Sequence, residues 1–302
     1  MPPYRYICTI MQLIADSGST KTQWMLLPPA TAGTATKGQP LQTIATAGMN
    51  PVRDSVDTLR HVLAAELLPQ LGAAARAVRR VHFYGAGCIE PYSTVMREAL
   101  AAACPAAAIC VESDMLGAAR ALCGDEPGIA CILGTGSNSC LYDGRHIARS
   151  TPALGWILGD EGSGAVLGRR LVGDVLKGQL PQHLADAFMA TTGLTQAAII
   201  ERTYRQPEAN RFLASLTPFL SAHCHEPAIR TMLLGEFRSF MQRNITAYAR
   251  PDLPVHFAGG VAHAFASILR EAVAACGFIP GTICAAPISM LAAYHTSHTA
   301  TP

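Results

Sequence analysis

The chain has 302 residues, half of them hydrophobic, which suits about two domains with sizeable cores and excludes a disordered chain. Only 15% of residues are charged and the net charge is +2, so the basic stripe of a nucleic-acid binder is missing. The longest uncharged apolar run, residues 99–111, is broken by Pro105 and falls short of the roughly 20 residues a membrane span needs.

The opening MPPYRYICTIMQLI has neither the apolar core nor the cleavage site of a signal peptide. Met11 reads as the start of the ordered chain and the first ten residues as an extension. Residues 10–15 form an apolar strand that ends at Asp16, and a second strand resumes at 23–27. A plain hairpin needs about two turn residues. This one carries Asp16, the hydroxyls of Ser17, Ser19, Thr20 and Thr22, Gly18 and Lys21. Backbone N–H groups and hydroxyls converging at such a turn cradle anionic oxygens, phosphate above all. Lys21 is no P-loop lysine, because no Gly-x-x-x-x-Gly-Lys precedes it.

A Pro/Gly/Thr loop without periodicity separates this hairpin from a third strand at 41–45. Asn50-Pro51 then opens a helix in which Val52, Val56, Leu59, Leu63 and Leu67 recur at helical spacing. Asn is a strong N-cap and Pro suits the first helical position. Residues 78–84 read as a strand, Gly85-Ala86-Gly87 as a tight turn, 93–103 as a helix and 107–112 as a strand. Asp114 follows, placed to cap the helix MLGAARALCG.

The pattern then begins again. Residues 129–133 form a strand, Gly134 to Ser139 a polar glycine-rich turn, and 139–142 and 146–150 two further strands. The loop TPALGWILGDEGSG feeds a helix through about Lys177, and three helical segments fill about 180–250. The strand PVHFAGG ends in Gly259-Gly260, followed by a helix at 262–275, a strand at 281–286 and a last helix opened by Pro287. Two such meanders, each continued by alternating helices and strands, argue for two similar α/β domains facing one cleft. Their sheets would be mixed, with ligands at the strand ends between the domains.

Cysteines stand at 8, 88, 104, 110, 123, 131, 140, 224, 276 and 284, with no Cys-x-x-Cys pair, the usage of reduced thiols in a cytosolic protein. His223, Cys224, His225 and Glu226 have metal-ligand chemistry but no partner cluster, and read as a solvated helix end.

DSGSTKT, GTGSNS and VHFAGGVA resemble the first phosphate, second phosphate and adenosine motifs of the sugar kinase, heat-shock-70 and actin superfamily. WILGDEGSG resembles the sugar-side loop of its N-acetylglucosamine kinase branch, and the likeness runs through nearly the whole chain in the right order. The chain is also similar to the broader benzoyl-CoA reductase-type ATPase family grouped with that branch. Ser17 stands where the first motif commonly has a second Gly.

The resemblance implies two ribonuclease-H-like (actin-like ATPase) α/β domains with mixed sheets around an interdomain cleft. Residues 1–113 plus 288–302 would form one, and 114–287, with a helical insertion at about 180–250, the other. It implies ATP and Mg²⁺ as cofactors, with Asp16 holding the metal. Ser17, Gly18, Ser19, Thr20, Lys21, Thr135, Gly136 and Ser137 would surround the phosphates, and Gly259 and Gly260 would leave room for adenosine. Asp114 is implied as general base. Asn50, Gly155, Trp156 and Asp160, together with Asp114, would contact the sugar, while Glu161 caps the next helix or reaches the metal shell.

The implied reaction is ATP-dependent phosphorylation of a sugar hydroxyl, N-acetylglucosamine to its 6-phosphate first, by a cytoplasmic homodimer with no nucleic-acid or membrane partner. Rivals are a kinase for another amino sugar such as N-acetylmuramic acid, an ATPase activating a radical dehydratase or reductase, and a non-catalytic sugar sensor. The cysteines lack the spacing of a shared iron–sulfur cluster. The short stretch before the first strand is expected to leave no room for a helix-turn-helix.

Overall fold

The computed structural model describes residues 10–18, 20–29 and 40–298. The chain divides into two compact units. One runs to Gly124 and takes back the segment from Pro287, and the other is Asp125–Ala286.

The first unit contains β1 (Met11–Ser17), β2 (Lys21–Leu27) and β3 (Gln42–Ala47). Then come α1 (Val56–Val62), a π-helical turn (Leu63–Leu67), α2 (Leu68–Leu71), β4 (Val78–Gly85), α3 (Ser93–Ala103), β5 (Ala108–Ser113) and α4 (Asp114–Cys123). The strand order is β3-β2-β1-β4-β5. The two hairpins are antiparallel and the β1–β4 and β4–β5 pairs parallel. Strand alternation sorts the side chains between two faces. Leu13, Ala15, Val81 and Phe83 join a core with Leu59, Met96 and Leu100. Ile14, Met25, Leu27 and Tyr84 form a second apolar layer on the opposite face.

The helix expected from Pro51 begins later, at Val56, with Ser55 as its cap accepting the Thr58 N–H. Asn50 is the reason. Its Oδ1 accepts the Val52 N–H at 3.0 Å, and its carbonyl accepts the N–H groups of Arg53 and Asp54. Asn50 and its neighbours therefore close a turn of their own, and Val52 is left exposed. The expected break at Asp114 also moves, to beyond Gly124. Helix α4 stays with the first unit because Gly117 sits so close to Tyr84 that a Cβ would come within 2.8 Å of it. Arg120 adds a hydrogen bond of 2.8 Å to the Tyr84 hydroxyl.

The second unit repeats the topology with β6 (Gly128–Leu133), β7 (Ser137–Tyr142), β8 (Ile147–Ser150), α5 (Gly155–Leu158) and α6 (Gly164–Leu176). Where three helical segments were expected there are five helices: α7 (Gln182–Thr192), α8 (Gln196–Tyr204), α9 (Ala209–Ala214), α10 (Thr217–Ala222) and α11 (Pro227–Phe240). Then follow β9 (Pro254–Ala258), α12 (Gly260–Ala264), α13 (Ala266–Ala275) and β10 (Ile279–Cys284). Its sheet order, β10-β9-β6-β7-β8, is the first unit's order read from the other edge. Phe188, Phe237, Phe240, Phe257 and Phe265 anchor its core. The last helix, α14 (Ile288–His298), returns to the first unit, where it packs on β1, β2 and α4. No helix among the described residues is long and apolar enough to cross a membrane.

Candidate active site

In the first unit β1, β4 and β5 run parallel, so Asp16 and Asp114 emerge at the same edge of the sheet. That edge, outside the carboxyl ends of parallel strands, is where open α/β sheets bind ligands. Burial pushes the Asp16 carboxyl up to about 7, the charge of Asp114 adds to the rise, and Lys21 opposes it. Asp114 proves to be the first residue of α4 rather than its cap. The cap is Ser113, whose Oγ accepts the Leu116 N–H at 3.2 Å. Asp114 Oδ1 accepts the Met115 N–H at 2.8 Å, and burial, opposed by that bond, pushes its pKa up to about 6. A buried carboxyl with a second carboxylate nearby calls for a proton or a hard cation. These oxygens suit Mg²⁺, which favours one or two carboxylates and retains most of its waters.

The turn beside Asp16 is tight: the Gly18 N–H donates to the Lys21 carbonyl at 3.0 Å, and Thr20 and Lys21 are exposed. Ser19 lies outside the described residues. Ser17 differs from expectation. It shares the inward face of β1 with Leu13 and Ala15, is wholly buried, and spends its hydroxyl on Thr22 and the Met49 backbone. It therefore offers no hydroxyl to a phosphate. Asn50 rests against Gly87, whose φ is +76°, and a Cβ on Gly87 would come within 2.2 Å of Asn50 Oδ1. Sequence reasoning gave Gly87 no role in the site; the glycine of a tight turn was visible, but its partner, far off in the chain, was not.

In the second unit the Gly134 N–H donates to the Gly136 carbonyl at 2.9 Å. The first N–H groups of α6, on Gly164 and Ala165, donate to the carbonyls of Gly134 and Thr135 at 2.8 and 3.1 Å. The polar turn is thus docked on a helix start capped by Ser163. Asp160 joins the same assembly with a left-handed φ of +54°. Burial raises its pKa, the Ser137 N–H bonded to it lowers it, and Glu161 adds to the rise. Gly136 is glycine because a Cβ there would stand 2.9 Å from Asp160 Oδ2. A pocket of about 270 Å³ opens beside these residues, lined by Ser137, Asn138, Thr151, Leu154, Asp160 and Arg243 among others. That is near the low end of small-molecule sites, roughly 300 Å³.

Two expectations change here, those for Glu161 and Gly259. Of the two roles expected of Glu161, the cap of α6 falls to Ser163; Glu161 pairs with Arg243, and Asn244 Nδ2 donates to it at 3.2 Å. Trp156 leans on the unit's core, while Leu154, Ile157 and Leu158 carry the loop's exposed apolar surface. Gly155 opens α5 with φ +73° and open space before it. Gly259, with φ +124°, is glycine for its own sheet, since a Cβ would lie 2.2 Å from the Leu133 carbonyl oxygen. Gly260 does have open space in front of it. His223 stacks on Phe219, and Glu226 faces His183 and His225 at 3.7 and 3.6 Å. Among the described residues no group of His, Cys, Asp and Glu is arranged to hold a metal on its own.

No protein-family model matches the chain, and no curated protein matches it. Solved structures do. The "Putative N-acetylglucosamine Kinase" of Porphyromonas gingivalis aligns with a TM-score of 0.91 and 46% identity, over 96% of this chain and all of that one. One of the same description from Chromobacterium violaceum gives 0.72 at 20% identity, over 95% and 99% of the two chains. A ROK family glucokinase from Streptomyces griseus, solved with glucose and AMPPNP, gives 0.56 at 13% identity, over 94% and 97%. The last two speak for the fold alone. Both units are ribonuclease-H-like, the fold that these sugar kinase structures share. Within that class the chain belongs to the N-acetylglucosamine kinase-like family.

Proposed function

We propose that the protein transfers the γ-phosphoryl group of ATP to an N-acetylhexosamine hydroxyl, converting N-acetylglucosamine to its 6-phosphate, with Asp114 as general base. The observation that carries this reading is the Asp114 carboxyl, at the start of α4, raised to about 6 and near enough for its charge to raise Asp16. A base near the operating pH is both ionised and basic enough to take a hydroxyl proton. The acceptor class is supported by the description of the P. gingivalis relative.

The Met115 N–H bonded to Asp114 Oδ1 orients the carboxylate, and Oδ2 is assigned to take the proton of the acceptor hydroxyl. Asp16 would hold Mg²⁺, which when bound supplies neutralisation of phosphate charge during transfer. Thr20, Lys21, Thr135 and Ser137 would hold phosphate oxygens, and the open space before Gly260 would admit adenosine. Asn50 and Asp160 would orient the sugar, since an amide can donate to one sugar oxygen and accept from another. The pocket beside Asp160 is the sugar's proposed neighbourhood. A homodimer remains part of this reading on the resemblance alone.

ADP release with Mg-ATP, measured against a sugar panel and a sugar-free blank, tests the proposal. N-acetylglucosamine-dependent release with a 6-phosphate product supports it. Dependence on N-acetylmuramic acid alone would move the acceptor, and release indifferent to every sugar would favour the ATPase-activator reading.

A further inference from the structure

Ser17 and Thr22 are both wholly buried, and their hydroxyl oxygens lie 2.7 Å apart. Thr22 Oγ1 is 3.1 Å from the Ala47 carbonyl, and Ser17 Oγ is 3.2 Å from the Met49 carbonyl. These three oxygen–oxygen contacts share two hydroxyl protons. A fourth bond comes from the Met49 N–H, which donates to Ser17 Oγ at 3.3 Å. The pair therefore reaches from the end of β1, across β2, to the residues that follow β3.

What it grips is specific. Met49 is wholly buried and immediately precedes Asn50, and both of its backbone polar groups turn to Ser17. The Ser17 carbonyl accepts the Ala86 N–H at 3.0 Å, and Ala86 precedes the Gly87 against which the Asn50 carboxamide lies. One residue thus holds both segments that meet at Asn50, and its chain neighbour is Asp16. A glycine at position 17 would keep the carbonyl bond and lose the rest.

We infer that the buried Ser17–Thr22 hydroxyl pair is a positioning device that seats Asn50 against Gly87 in register with Asp16 and the phosphate turn. It rests on the kinase reading above. The acceptor end and the phosphate end of the first unit's site are set by one hydrogen-bond network, and neither hydroxyl touches a substrate.

The test is steady-state kinetics of Thr22→Val, which keeps the buried shape, alongside Thr22→Ser, Asn50→Ala and the Thr22→Val/Asn50→Ala double variant. Losing the Thr22 hydroxyl, with its contacts to Ser17 and the Ala47 carbonyl, should raise the acceptor KM by about tenfold while the ATP KM stays within about twofold. Thr22→Ser should restore the acceptor KM, and the double variant should be no worse than Asn50→Ala alone. Ser17→Ala, which also removes both contacts to Met49, serves should Thr22→Val not fold, with the same expected split. Equal shifts in both KM values, an unchanged acceptor KM with only lower thermal stability, or additive effects in the double variant would overturn the inference. A wild-type enzyme with no sugar-dependent turnover would remove the kinase reading and this inference together, an outcome distinct from an active wild type with unsplit variants.

Discussion

At the first position of a helix a carboxylate gains from the N-terminal dipole, which lowers its pKa. Burial outweighs this at Asp114, and the balance near 6 has a consequence for rate. A base must be ionised, so at saturating Mg²⁺, which would keep Asp16 ionised, kcat/KM should climb with pH up to about 6 and then level off. Asp114→Asn should lower kcat by about 10²–10⁴-fold in a folded protein. Near-full turnover in that variant would remove Asp114 from the chemistry. The residues legible in the sequence were those whose chemistry is local: a carboxylate at a strand end, hydroxyls in a turn. The cap role expected of Glu161 did not hold, and its partners Arg243 and Asn244 could not be foreseen because they come from the helical turn after α11, far along the chain. Ser17 was misread because the composition of the turn said nothing about which face of β1 would carry it inward.

Strand ends and tight turns show how a glycine can be recognised correctly and explained wrongly. The Gly259-Gly260 pair suggested space for a ligand, yet at Gly259 the backbone of β6 is what excludes a side chain. A side chain at φ +124° that also meets a carbonyl oxygen should cost about 2–3 kcal/mol. Gly259→Ala is therefore expected to lower the thermal midpoint by several degrees with or without nucleotide, as read by thermal unfolding. A midpoint within a degree of wild type would show that the strand shifts freely. Helix α3 and most strands were legible because alternation and helical spacing were unbroken there. The start of α1 was not, because Asn50 uses its side chain on its own turn and Val52 fits the helical spacing by coincidence. The helices between Gln182 and Phe240 were undercounted because short connections hide under continuous apolar periodicity.

At the scale of the whole chain, the covering of the first sheet's second face sets a pH limit. His82 and His295 stack with ring centres 3.7 Å apart, and His295 Nε2 lies 2.9 Å from the Tyr84 hydroxyl. Burial, with Arg80 and Arg120 nearby, lowers His82 to about 4. His295 falls to about 2, by burial first and then by His82. Both rings are neutral in the fold but protonate on unfolding once pH drops below about 6.5, so stability is lost as pH falls from there, toward about 4 for His82 and about 2 for His295. Among the described residues neither ring nitrogen of His82 has a hydrogen-bond partner. His82→Leu should therefore narrow the difference in unfolding free energy between pH 7 and pH 5 by about 2 kcal/mol. An unchanged difference in denaturant titrations would exclude His82 from the acid response. The two-unit division was anticipated from the repeated meander, whereas the place of the break was not, since a strand–helix junction looks the same whichever side keeps the helix. The return of α14 has a temporal meaning as well. A ribosome releases the chain from its N-terminus, so Asp125–Ala286 has emerged in full while Ile14, Met25 and Leu27 still lack the cover of Ile288 and Leu291. The unit whose synthesis starts first is the last to be finished, and the part of its sheet face that α4 leaves uncovered is the surface a nascent-chain chaperone would meet.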